Sequence, residues 1–406
     1  MRQGYGNRSL VLKSRHVLIF MFTSYAVVFS LFIDAEARNY LVLFSGTVGG
    51  LCLIATGLKV QRHIIFALLL ISSMAVQALV IGNDRGLLSV GLTAVYACGY
   101  FAIAALFARI QDQRAFLQNM AGWLITAFAI LSVIQMVASL ASLPVPNLIL
   151  SKGLWSYNSL SMEPSHVGRV IGMTMLTYLV LMREPFRLEN IIYIPKKQLK
   201  ILAAFLTTML LSGSALAAFA IVMVFALSRS LIWVIIVAVS VFLLWPLLEL
   251  TNFVQTNRVM LLLPSFLSLD LDAIIATDSS GGSRFVPAVI YLQESMPSEI
   301  GFWMGYGRDE LARFFLGRIP GFGDTVAAGF VPGFFVVYGV ILATLFFGVF
   351  VLRFLSQTTA PLIVFWLIFI SSSAWNTQIF WYGLILVQMT WAASSQDQAL
   401  LKMKES

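Results

Sequence analysis

TVAAGFVPGFFVVYGVILATLFFGVFVL, residues Thr325–Leu352, runs for twenty-eight positions without a charged side chain. At about 1.5 Å of rise per residue such a helix is about 42 Å long, more than a hydrocarbon core of roughly 30 Å. Backbone N–H and C=O groups in lipid must be satisfied within their own segment, so the run predicts a transmembrane helix. Working outward, further apolar runs predict spans near 16–33, 39–58, 64–81, 87–107, 119–141, 167–182, 199–212, 214–228, 231–249, 360–375 and 377–393. The seventh and eighth are short and meet at Ser212-Gly213-Ser214, either as half-length helices at a break or as one long helix.

Composition agrees with this reading. Of 406 residues, 59% are hydrophobic and 11% charged, with a mean hydropathy of +0.90. A soluble domain carries about 25% charged residues, so this chain lacks the charge to cover a water-facing surface. The expected fold is an all-α polytopic membrane protein of about twelve transmembrane helices, without a cleaved leader. Cys52 and Cys98 both fall inside apolar runs and read as packing residues.

Charge sets the orientation. With the N-terminus in the cytoplasm, seventeen of the 26 Lys and Arg residues fall on the cytoplasmic side, among them Arg15, Lys59, Arg62, Arg109, Arg114, Lys197 and Arg353. The bias obeys the positive-inside rule and puts both termini in the cytoplasm. It also accounts for the net charge of +8, so nucleic acid is excluded as a partner. The chain then divides into a bundle over 1–250 with an outer loop at 142–166, a large outer loop at 251–324, and spans with a cytoplasmic tail at 325–406.

Chemistry is concentrated in the outer segments. In Ser161-Met162-Glu163-Pro164-Ser165-His166-Val167-Gly168-Arg169, the proline marks the start of a helix and the acid suits its N-terminus. Glu163, His166 and Arg169 recur at i, i+3 and i+6, along one side of that helix. An arginine within a span costs about 2.5–3.5 kcal/mol at full depth, and an internal partner or an anionic ligand would offset it. A capped helix whose Arg169 pairs with Glu163 is the plain alternative.

The large loop holds two glycine–arginine elements, Ser279-Ser280-Gly281-Gly282-Ser283-Arg284 and Gly305-Tyr306-Gly307-Arg308-Asp309. Glycines admit close backbone approach and guanidinium matches phosphate oxygens. Ordinary solvated turns would look the same. Trp155 and Trp303 suit an interfacial belt or stacking on sugar rings, and Trp375-Asn376-Thr377-Gln378 would face outward. There is no Walker-type loop, and His16, His63 and His166 form no cluster with metal-ligand spacing.

The Glu163-Pro164-Ser165 element resembles the Glu-Pro-Ser of Wzy-type polysaccharide polymerases. The Ser212-Gly213-Ser214-Ala215-Leu216 junction is similar to their Ser-rich break between short spans. The outer loop with its early Ser-Arg and later Gly-x-Gly fits as well, as does Asp324 before a span containing Tyr338-Gly339-Val340. The resemblance covers a little under half of the chain and implies a GT-C-like glycosyltransferase of the bacterial inner membrane. Such an enzyme moves a growing glycan from undecaprenyl diphosphate to a lipid-linked repeat unit. It implies Arg169, Arg284 and Arg308 as diphosphate ligands and Glu163, or else His166, as the base. Trp155, Trp303, Tyr306 and Asp324 are implied as sugar contacts, and no cofactor or metal is implied. Lipid-linked oligosaccharides, membrane lipids and a chain-length regulator protein are the implied partners. Related O-antigen ligases are expected to carry a histidine in the large loop, and residues 251–324 contain none. A flippase would need charged or broken helices near the midplane.

Overall fold

The computed structural model describes residues 4–27, 44, 46–51, 62–80, 84–147, 156–182, 196–213, 279–308, 310–315 and 329–405. The described residues are helical and contain no strand. In chain order the helices are α1 (Gly4–Ala26), α2 (Arg62–Val80), α3 (Asp84–Phe107), α4 (Gln113–Leu140), α5 (Pro164–Val180) and α6 (Lys196–Leu211). They continue with α7 (Ser279–Glu294), α8 (Ile300–Met304), α9 (Glu310–Phe315), α10 (Phe335–Phe350), α11 (Ala360–Phe365) and α12 (Gln378–Glu405). Among the described residues three segments, Gly86–Phe107, Gln113–Leu140 and Phe330–Phe354, are long and apolar enough to cross a membrane; Ile64–Val80 and Ala360–Ile370 are shorter apolar helices. The molecule is therefore an all-α, membrane-embedded protein. The expected spans at 214–228 and 231–249, and most of 39–58, lie outside the described residues.

Surface and core follow the solvent. Leu68, Leu69, Val76 and Leu79 on α2 and Trp123, Ile130, Ile134 and Val137 on α4 are exposed apolar side chains, as a lipid-facing surface requires. Inside, α5 is buried on every side from Val167 to Val180, the condition of a helix that is apolar all round. It packs against α4, α6 and α12, and α12 in turn meets α1, α3 and α4. The hydroxyl of Thr174 lies 2.6 Å from that of Tyr382, joining α5 to α12.

A dense aromatic cluster closes the other half of the core. Phe330 contacts Phe334, Phe346 and Phe380 at centroid distances of 4.9, 4.9 and 5.0 Å. Phe346 and Phe350 lie 4.8 Å apart, and Trp381 sits edge-on to Phe350 at 5.1 Å. Each such pair contributes about 0.5–1.5 kcal/mol beyond its area burial.

Polar side chains of several helices meet at one end of the bundle. One end gathers Arg15, Arg114, Lys197 and Gln396. Arg15 lies over the Phe116 ring at 5.4 Å, Arg114 and Gln118 donate to the Leu181 carbonyl at 2.7 and 2.5 Å, and Lys197 donates to Asn119 at 2.7 Å. Gln396 bonds the Gln111 carbonyl at 2.9 Å. The charge bias assigned these cations to one side, and the fold brings them to one end. The α6 helix stops at Leu211, with Gly213 at φ 51°. The Ser212-Gly213 junction is therefore a helix end, which removes the alternative of one continuous helix.

Candidate functional site

Glu163, His166 and Arg169 all lie at the opposite end. Glu163 is the N-cap of α5 with extended backbone, and Pro164 takes the first helical position, where its missing N–H costs nothing. The Ser165 hydroxyl donates to Glu163 Oε2 at 3.1 Å, which orients the carboxylate beside the helix start. His166 follows half-buried. Arg169, one and a half turns in, is only 7% exposed. Its Nη1 donates to Ser373 Oγ at 2.5 Å. The buried guanidinium thus has an internal partner, supplied by the loop before α12.

That loop, residues 371–377, is held from both sides. The Phe330 N–H donates to the Ser371 and Ser373 carbonyls at 2.7 and 3.0 Å. Trp381 Nε1 donates to the Trp375 carbonyl at 2.8 Å, and Asn376 reaches Ser89 Oγ on α3 at 3.3 Å. Trp375 also meets Phe334 and Tyr338 edge-on, at 5.3 and 5.8 Å.

Arg308 approaches the same region from the other side. The Gly305-Tyr306-Gly307 stretch lies along the start of α10, with the Tyr306 N–H donating to the Val336 carbonyl at 2.7 Å and Gly307 to Val337 at 3.3 Å. Gln77 on α2 pins the corner, donating to the carbonyls of Met304 and Val337 at 2.7 and 2.8 Å. Gly305 (φ 88°, ψ 149°) and Gly339 (φ 77°, ψ 172°) occupy a backbone region that only glycine adopts without strain. A Cβ at Gly339 would stand 2.3 Å from the Trp303 carbonyl oxygen and 2.4 Å from the Gly305 nitrogen. What these glycines approach is each other's backbone. Arg308 follows this junction, and its charge acts on the Tyr338 phenol. Arg169 is tied to the 371–377 loop through Ser373, and Tyr338 packs edge-on to Trp375 of the same loop.

A second buried polar network supports the Glu163 side. Gln135, Asn158 and Ser159 are fully buried, with Asn147 and Ser161 nearly so. Gln135 Nε2 donates to the Pro146 carbonyl at 2.8 Å and its Oε1 accepts from the Ser159 N–H at 2.8 Å. Asn158 donates to the carbonyls of Asn147 and Ser161 at 2.7 and 2.6 Å, and Asn147 returns a bond to the Ser159 carbonyl at 2.6 Å. Asn147 and Ser159 have positive φ, 56° and 47°. These bonds offset the strain of the left-handed turns and fix the segment that delivers Ser161 to Glu163.

The remaining expected site residues divide. The Ser279–Arg284 stretch begins helix α7, so its glycines sit in a helix and not in an anion-cradling loop; the Arg284 side chain lies outside what is described. Trp155 and Asp324 lie outside the described residues. Trp303 is 45% exposed and donates its Nε1 to the Pro297 carbonyl at 2.8 Å. Tyr306 places its hydroxyl 2.6 Å from Glu299 and its ring 5.3 Å from Phe314, so both aromatics serve first to shape their own loop. Ser373, Ser89, Gln77 and the Gln135–Asn158 network were not singled out in the sequence. Their only signal was a polar residue inside an apolar run.

No family model matches the chain, and neither the curated proteins nor the solved structures yield a match.

Proposed function

We propose that this chain is a polysaccharide polymerase of the bacterial inner membrane, a GT-C-like glycosyltransferase that extends glycans on polyprenyl diphosphate. The observation that carries the reading is Arg169: a nine-tenths-buried guanidinium at the end of the central helix, beside a carboxylate and an imidazole, with Arg308 a second guanidinium whose charge reaches Tyr338. Such a pair of guanidiniums suits a diphosphate, whose oxygens they contact in a planar, charge-assisted manner. The sequence resemblance supplies the reaction class.

In the proposed reaction a hydroxyl oxygen of the acceptor sugar attacks the anomeric carbon of the donor glycan. The bond from that carbon to the diphosphate oxygen breaks, and the lipid diphosphate leaves with the electron pair. Arg169 and Arg308 stabilise the charge that develops there, an electrostatic contribution of about 2.7–4 kcal/mol per preorganised donor in comparable sites. Glu163 takes the acceptor proton. In this reading the reactive end faces the periplasm, the basic end and both termini face the cytoplasm, and the chain crosses the membrane about twelve times.

The test is the size distribution of lipid-linked glycans in cells with and without the chain. Deletion is expected to leave single repeat units, and re-expression to restore a ladder. Long lipid-linked chains persisting after deletion would overturn the reading. Arg308→Ala, inserted at normal levels, is expected to behave as the deletion.

A further inference from the structure

The loop that holds Arg169 through Ser373 also carries a group of polar atoms that the reaction as described does not use. Trp375 is 5% exposed, yet its indole N–H has no acceptor among the described residues. The Tyr338 hydroxyl, 1% exposed, comes close to Ser89 without the geometry of a full hydrogen bond. Ser89 Oγ itself receives one long bond, 3.3 Å from Asn376. An unmatched buried donor is costly, and a native fold rarely leaves one without a use. Here two lie on adjacent rings, with centroids 5.8 Å apart. The neighbouring loop residues Ser372, Ser373, Ala374 and Asn376 are half-buried.

The chemistry of the cluster specifies a ligand. Indole N–H and amide NH2 donate, while Ser and Tyr hydroxyls donate or accept. None of the four side chains is charged, so they match the hydroxyls of a neutral ring. Phe334 and Tyr338 add apolar walls at 5.3 and 5.8 Å from Trp375. The Arg169 guanidinium, held by Ser373 of the same loop, matches an anion attached to that ring. We infer that Ser89, Tyr338, Trp375 and Asn376 form a subsite for the sugar joined directly to the lipid diphosphate. This inference rests on the polymerase reading. Its consequence is that specificity for the first sugar of the repeat unit resides on α3, α10 and the 371–377 loop, apart from the proton-accepting end of α5.

Tyr338→Phe tests it, because the change keeps the ring and removes a hydroxyl that the fold does not use well. Membrane vesicles carrying the full chain would be supplied with increasing amounts of the host's lipid-linked repeat unit, and chain extension followed by gel. The variant is expected to raise KM about five-fold, the value of one neutral hydrogen bond, with kcat within two-fold and the unfolding temperature unchanged. Ser89→Ala, a smaller change on a different helix, is expected to shift KM in the same direction. A KM unchanged in either folded variant, while wild-type vesicles extend chains, overturns the subsite alone. Wild-type vesicles that do not extend the supplied units overturn the polymerase reading, and the subsite with it.

Discussion

The two ends of the bundle are built from similar residues in different ways. At the basic end, Arg15 lies over a ring, and Arg114 and Lys197 donate to a backbone carbonyl and to an amide oxygen. Lys197 and its bond are exposed and the backbone around them is ordinary. At the other end Arg169 is buried, and the turns around it contain Asn147, Ser159, Gly305 and Gly339, all at positive φ. Arginine at the first end orients and seals helices. At the second it is held in a place where charge is expensive, by a loop that is itself tightly bonded. Exposed cations of the first kind contribute about 0–1 kcal/mol. The second kind persists only where the surrounding structure over-determines it, which is the condition of a working site.

The contrast predicts a graded series of substitutions. Arg169→Ala is expected to abolish glycan extension, by at least about 100-fold, and Arg169→Lys is expected not to restore it, since a point charge lacks the planar fork. Gel-resolved glycans at matched protein levels would check both; an active lysine variant would reduce Arg169 to a structural cation. Gly339→Ala is expected to lose the folded state, because it adds a backbone clash at 2.3 Å to a strain of about 1–3 kcal/mol. Monodispersity after detergent extraction would reveal this. Asn158→Ala removes the donor to two buried carbonyls, those of Asn147 and Ser161, and is expected to cost about 2–4 kcal/mol, read as a lower unfolding temperature. Arg114→Ala is expected to cost under about 1.5 kcal/mol and to leave the glycan ladder unchanged. Loss of extension in Arg114→Ala at normal protein levels would erase the distinction between the ends.

Much of the fold was legible because lipid is a simple solvent. Apolar runs at 64–81, 87–107 and 119–141 match α2, α3 and α4 within a few residues, and Pro164 marks the observed start of α5. Arg15, Arg114 and Lys197, assigned to one side by the charge bias, lie at one end of the bundle. Of the site, Glu163, His166 and Arg169 were placed together by helical spacing. Their long-range partners were not. Ser373 lies 204 positions from Arg169 and Asn376 lies 287 from Ser89, separations over which periodicity carries no information. The glycines of 305–307 were read as an approach to an anion, and the structure turns them toward α10. A φ requirement is visible in the sequence as glycine, but not what the backbone comes close to.

The burial of α5 has a further consequence, for depth. Its 17 residues span about 26 Å, whereas the 28 residues of α4 span about 42 Å. A lipid-facing helix as short as α5 would strain the bilayer through hydrophobic mismatch. Enclosed by its neighbours, α5 never meets lipid and escapes that constraint. The depth of its end is therefore set by protein contacts and not by the thickness of the bilayer. Under the proposed function, the level at which a lipid-anchored phosphate meets Arg169 is fixed by the packing of α5 against α4, α6 and α12.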